Sequence, residues 1–128
     1  LLLMVRDVMR TGDAIPRVGL NTLLSDALME ITDKGLGMTT IVDPAGGLAG
    51  VFTDGDLRRS LDARIDINAT PIDDLMNRHA KTVSGEMLAA EAMRIMETNE
   101  IGALVVLDDN GAITGVLHLK DLLHAGIT

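Results

Sequence analysis

Aromatic side chains are nearly missing from this chain: Phe52 is the only one in 128 residues, and there is no Trp or Tyr. Proteins that bind single-stranded nucleic acid stack bases on aromatic platforms, and none can be built here. The core must be aliphatic, drawn from Leu, Ile, Val, Ala and eight Met. Cysteine is absent, which excludes a disulfide framework, a thiolate nucleophile and a Cys-ligated zinc site. Positive charge is in deficit: 11 Lys and Arg stand against 19 Asp and Glu, a formal net charge of −8. Nucleic acids and anionic membranes attract clustered cations, so the balance argues against both as partners. No apolar run nears the ~18 residues of a spanning helix. The opening LLLMVRDVM lacks the basic start and long apolar stretch of a signal peptide. Such a composition fits a cytoplasmic protein. The chain starts without Met, and Leu1–Met4 is expected to be the end of a linker in a longer protein.

What the chain does contain is a duplication. An offset of 65 lays residues 15–61 on 80–126 without a gap, matching Val18 with Val83, Ala27 with Ala92, Gly37 with Gly102, Asp43 with Asp108, Gly50 with Gly115, Asp56 with Asp121 and Leu57 with Leu122. Upstream, VRDVM (5–9) echoes IDDLM (72–76) at a slightly longer offset. Two repeats are expected, 1–64 and 65–128, joined by the polar stretch DARIDINATP (62–71).

Each copy predicts the same elements. A short apolar strand surrounds Val18 or Val83. An amphipathic helix follows, with Leu24, Leu28 and Ile31 in one copy and Leu88, Ala92, Ile95 and Met96 in the other at helical spacing. Gly37 or Gly102 is expected to end it. Two strands come next, joined by tight turns at Pro44–Gly47 and at Asn110-Gly111, the latter a strong hairpin signal. A second helix starts at Asp54 or Leu119. The fold class is α/β, β-α-β-β-α twice. A repeat of about 60 residues is marginal alone, so the copies are expected to pack face to face about a pseudo-twofold axis, with two related clefts at the seam.

Chemistry concentrates where the last strand meets the last helix. The first copy has Thr53-Asp54-Gly55-Asp56; the second has His118-Leu119-Lys120-Asp121. One reading is a helix cap, with Thr53 accepting from a backbone N–H and Asp56 at the positive helix end. Another uses the same geometry for a ligand: free N–H groups and the Thr53 hydroxyl suit a phosphate, and Asp56 suits a vicinal diol. Arg58 and Arg59 either form a solvated face or fork onto an anion. Histidine is a poor helix cap, so the change from Thr53 to His118 favours a ligand contact and two unequal sites. Lys120 adds positive charge there.

The β-α-β-β-α order with GVFTDGDL at the junction resembles a CBS domain, and the duplication resembles a tandem CBS pair over nearly the whole chain. More narrowly, GMTTIVD, GVFTDGDLRR and GVLHLKDLLHAG resemble the C-terminal CBS pair of bacterial arabinose 5-phosphate isomerases, where the pair follows a sugar-isomerase (SIS) catalytic domain. The resemblance implies a regulatory, non-catalytic module that binds a nucleotide without a required cofactor. It assigns nucleotide ribose and phosphate contacts to Thr53 and Asp56, and the full set of expected ligand-binding residues is Thr53, Asp54, Asp56, Arg58, Arg59, His118, Lys120, Asp121, Gly37, Met38, Gly102 and Ala103. The isomerase family makes the first precursor of Kdo, the acid sugar of lipopolysaccharide. End-product feedback by CMP-Kdo is therefore the leading expectation. An adenine-nucleotide (AMP/ATP) sensor and a purely structural module that dimerises through its CBS pair are the alternatives.

The remaining candidates are weak. His118 and His124 are six residues apart and do not share a helix face, so no metal site is expected. DDNG (108–111) lacks the alternating ligands and distal Glu of a calcium loop. Met29, Met93 and Met96 stand at helical spacing and are expected to fill the core. No serine has a sequence-adjacent base, so no catalytic nucleophile is assigned.

Overall fold

The structure, a computed structural model, describes residues 2–128; Leu1 of the expected linker lies outside the described residues. The duplication folds twice into the same unit. In the first copy β1 (Arg17–Gly19), α2 (Leu24–Lys34), β2 (Met38–Val42), β3 (Leu48–Thr53) and α3 (Asp54–Asp62) follow the predicted order. In the second, β4 (Thr82–Ser84), α4 (Ala89–Asn99), β5 (Ala103–Leu107), β6 (Ile113–His118) and α5 (Leu119–His124) repeat it. A one-turn helix α1 (Val5–Val8) precedes both.

Each copy forms a three-stranded sheet, ordered β1-β2-β3 and β4-β5-β6. The first two strands of each are parallel, because a helix carries the chain across, and the last two are an antiparallel hairpin. Both hairpins break register at the matched positions Ile41/Val42 and Val106/Leu107. The loops are longer than a two-residue turn, and an Asp organises each. Asp43 Oδ1 accepts from the N–H groups of Ala45 and Gly47, and Asp108 Oδ1 from those of Asn110 and Ala112. Gly46 and Gly111 take the left-handed conformation that follows, at φ 87° and 80°. DDNG is thus a hairpin loop.

The helices differ from expectation at their ends. Gly37 and Gly102 do not terminate them. α2 stops at Gly35 (φ 72°), and α4 stops at Glu100 (φ 54°), a left-handed position filled by a residue with a Cβ. Met93 and Met96 are buried as expected, whereas Met29 is 71% exposed. It lies off the stripe of Leu24, Ala27 and Ile31 that faces the sheet.

The compact units do not follow the repeat boundaries at 64 and 65. One is Ile15–Ala80; the other joins the segment up to Ala14 with Lys81–Thr128. Each repeat thus lends its leading segment to the other repeat's unit. Ile72 and Met76 complete a core with Leu24, Ala27, Ile31, Ile41 and the sole aromatic, Phe52. Val5 is buried among Val83, Ala92, Met96, Leu104, Val106, Leu117 and Leu122. The lent segments also serve the helix starts. Neither α2 nor α4 has a side-chain cap. Instead Thr70 O accepts from Leu24 N–H and Leu3 O from Ala89 N–H, both at 2.9 Å, satisfying backbone groups every helix start leaves open.

Each lent segment then crosses its hairpin at a glycine. Asn77 and Val51 exchange both backbone hydrogen bonds (2.8 and 3.0 Å), as do Arg10 and Val116 (2.9 and 3.0 Å). A Cβ on Gly50 would lie 2.8 Å from both Asn77 O and Met76 Sδ; one on Gly115 would lie 2.8 Å from Arg10 O and 2.5 Å from Met9 Sδ. Only glycine admits so close a crossing.

Candidate functional site

The first junction gathers seven of the twelve residues assigned from sequence. Met38 pairs with Thr53 across the hairpin, which sets Gly37 beside the start of α3. Asp54 N–H donates to Gly37 O at 3.1 Å. Gly37 has φ 69°, a left-handed conformation that favours glycine. Thr53 precedes α3, which makes Asp56 the third helical residue. Asp56 Oδ2 accepts from the Thr53 N–H at 2.9 Å and from its hydroxyl at 3.2 Å, the returning half of a capping box. Its Oδ1 accepts from Arg59 Nη2 at 2.6 Å. The Arg59 guanidinium lies over the first turn near Gly55 and is 73% exposed. An exposed pair three residues apart on a helix contributes only about 0.2–0.5 kcal/mol, so a ligand can displace or recruit that guanidinium at little cost. Arg58 is exposed on α3.

The second junction has the same backbone and different wiring. Ala103 pairs with His118, and Leu119 N–H donates to Gly102 O at 2.9 Å. Gly102 lacks the left-handed geometry of Gly37, and a Cβ there would meet nothing within 4 Å. His118 caps α5: its Nδ1 accepts from Lys120 N–H at 3.0 Å. The sequence argument that histidine caps poorly is corrected here, because an unprotonated ring nitrogen accepts from a first-turn N–H as a capping oxygen does. Asp121 meets Arg10, which donates through Nε to Oδ2 at 2.8 Å and through Nη2 to Oδ1 at 3.1 Å.

Arg10 is the residue that sequence reasoning missed. Extending the VRDVM/IDDLM match by one residue puts Arg10 opposite Asn77, a difference legible in sequence only once the leading segments are known to change units. Asn77 is turned away, its Oδ1 accepting from His79 N–H. Asp121 is therefore gripped by a guanidinium from another segment, whereas Asp56 is met by one on its own helix. The grip holds the Asp121 carboxyl below its usual range, chiefly through the Arg10 hydrogen bond, against the opposing effect of partial burial; the positive charge of Arg10 adds to the shift.

Lys120 is exposed on α5. A shallow pocket of about 320 Å³ lies beside Gly102, lined by Met96, Glu97, Glu100, Ile101 and Leu119, and it includes none of His118, Lys120 or Asp121. Among the described residues no cluster of His, Asp and Glu is arranged to hold a metal. No described helix is long and apolar enough to cross a membrane.

Two copies of this unit, each with its ligand-type motif at the last strand-helix junction, define the class. The CBS domain model matches residues 5–63 and 72–127, and the chain belongs to the CBS domain family. Among curated proteins, the arabinose 5-phosphate isomerase KdsD of Pseudomonas aeruginosa is 57% identical over 99% of this chain and 39% of that protein. The enzyme of the same name from Escherichia coli K12 is 45% identical over 99% of this chain and 38% of its own length. The chain thus spans about two fifths of these relatives. Solved structures agree on the fold. CBSX2 in complex with AMP matches at TM-score 0.83 and 23% identity, covering 97% of this chain and 96% of that one. The CBS pair of protein MJ0100 with 5′-methylthioadenosine and S-adenosyl-L-methionine matches at TM-score 0.87 and 20% identity, covering 98% and 97%.

Proposed function

We propose that this chain is the regulatory nucleotide-sensing CBS pair of an arabinose 5-phosphate isomerase, and that it binds CMP-Kdo as a pathway end product. The isomerase assignment is supported by 57% identity along almost the full chain. The observation that carries ligand sensing is the Thr53–Asp56 junction, where a carboxylate shares one oxygen with an exposed guanidinium beside the left-handed Gly37. Asp56 accepts ligand hydroxyls, and the Thr53 hydroxyl, the first N–H groups of α3 and Arg58 or Arg59 meet phosphate or carboxylate. CMP-Kdo carries a ribose diol, a phosphate and a carboxylate, one group for each. The module itself performs no chemistry; catalysis belongs to a SIS domain elsewhere in a cytoplasmic parent chain, which pairs with a second copy through its CBS modules.

Thermal unfolding of the chain with CMP-Kdo, CMP, AMP and ATP in parallel tests this reading. Ligand at a hundredfold over its Kd stabilises by about 2.7 kcal/mol, a shift of several degrees for a domain of this size. A shift with CMP-Kdo that Thr53→Ala and Asp56→Ala abolish is the expected result. A shift with AMP or ATP alone selects the energy-sensor reading, which the AMP and S-adenosyl-L-methionine complexes of the fold relatives favour. No shift with any of them leaves subunit assembly as the role.

A further inference from the structure

We propose that the module takes one ribose-diol ligand per chain, at Asp56, and that Arg10 closes the corresponding position at Asp121. The inference rests on the nucleotide-sensing reading above and specifies its stoichiometry and the residue that sets it.

Three differences between the copies carry it. Both Asp121 oxygens are taken by one planar guanidinium, at 2.8 and 3.1 Å, the fork geometry that makes Arg-carboxylate pairs specific and strong. The cation at Asp56 uses one nitrogen and one oxygen. Freedom differs as well: Arg59 is 73% exposed on a helix surface, while Arg10 is 33% exposed and its backbone is bonded to Val116 on both sides. Displacing Arg10 from Asp121 means abandoning that pair or lifting the segment off Gly115, where it sits against the bare Cα. The caps complete the contrast. Thr53 keeps Asp56 in its capping box, whereas at the second junction His118 Nδ1 accepts from Lys120 N–H and Asp121 is held by Arg10. A diol that pairs with both oxygens of a carboxylate needs the forked edge that Arg10 occupies on Asp121. At Asp56, Oδ2 keeps its two Thr53 bonds and Oδ1 is released when Arg59 swings into solvent.

Calorimetric titration of the chain with CMP-Kdo, CMP and AMP, and with the 2′-deoxy forms of CMP and AMP, tests the proposal. The expected result is one site per chain, weakened at least tenfold by loss of the 2′-hydroxyl and by Asp56→Asn, and unchanged by Asp121→Asn. Arg10→Asn, which installs the residue of the other copy, is expected to raise the stoichiometry toward two. Should that variant not fold, the Asp56→Asn and Asp121→Asn pair decides alone. Two equal sites in the unaltered chain, or binding lost with Asp121→Asn and kept with Asp56→Asn, overturns the inference and leaves nucleotide sensing standing. Deoxy forms that bind as well as the ribonucleotides overturn the diol contact. Failure of every nucleotide to bind overturns the sensing reading and this inference with it.

Discussion

Arg10 and Asp121, 111 positions apart in sequence, form a two-point ion pair whose equivalent in the other copy does not exist. Asn77 stands where a second Arg10 would, so the duplicated sites differ through a residue outside the duplicated motif. Arg10→Ala leaves Asp121 partly buried without its partner. With Arg10 a third exposed, solvent screens much of the pair, and the expected loss is about 1–2 kcal/mol by denaturant unfolding. The Arg10→Ala, Asp121→Ala double-mutant cycle is expected to return a clear coupling, and the same cycle on Arg59 and Asp56 much less.

The pair has a pH signature. Asp121 titrates lower in the folded chain than its ordinary value, because Arg10 bonds its charged form. Such a group contributes stability that is fully present above its unfolded value of about 3.9 and is lost as pH falls through the lower folded value. Unfolding measured from pH 6 downward is expected to show the unaltered chain losing its advantage over Arg10→Ala below about pH 4. An unchanged difference at low pH would contradict the pair's role.

The glycine crossings predict a matched pair of defects. Gly50→Ala and Gly115→Ala each drive a methyl group into backbone and methionine atoms, and overpacking of this kind costs about 1–3 kcal/mol. Gly102→Ala, facing open space without left-handed geometry, is expected to cost under about 0.5 kcal/mol.

The capping exchange at His118 is open to the same measurement. His118→Ala removes the acceptor for Lys120 N–H and is expected to cost about 1 kcal/mol. His118→Thr restores a capping oxygen and is expected to recover most of that loss.

Glu100 closes α4 in a left-handed conformation, where the other copy has Gly35. That conformation costs an L-residue about 1–2 kcal/mol, and glycine gives back about 0.4–1 kcal/mol through greater freedom of the unfolded chain. Glu100→Gly is therefore expected to raise stability by about 0.5–1 kcal/mol.

Much of this was legible along the chain. The 65-residue offset located both copies of the fold, and helical spacing located Leu24, Ile31, Met93 and Met96 in the core. The starts of α3 and α5 at Asp54 and Leu119 followed from the motif itself. These features depend on local periodicity and turn chemistry, which adjacent residues carry. Helix ends were less legible, since a left-handed cap at Gly35 or Glu100 is chosen by where the next strand must go rather than by the nearest glycine that matches between copies.

By itself, then, the sequence determined the duplicated α/β plan, the strand-helix junctions and the residue types available at them: Thr53 with Asp56, His118 with Asp121. Tertiary structure decided which partner each carboxylate meets. The leading segments exchange units, and that exchange brings Arg10 over Gly115 to Asp121 and Asn77 over Gly50. An ion pair between residues so far apart depends on the path of the chain in space. No local pattern encodes it, and it is what gives two like motifs different partners.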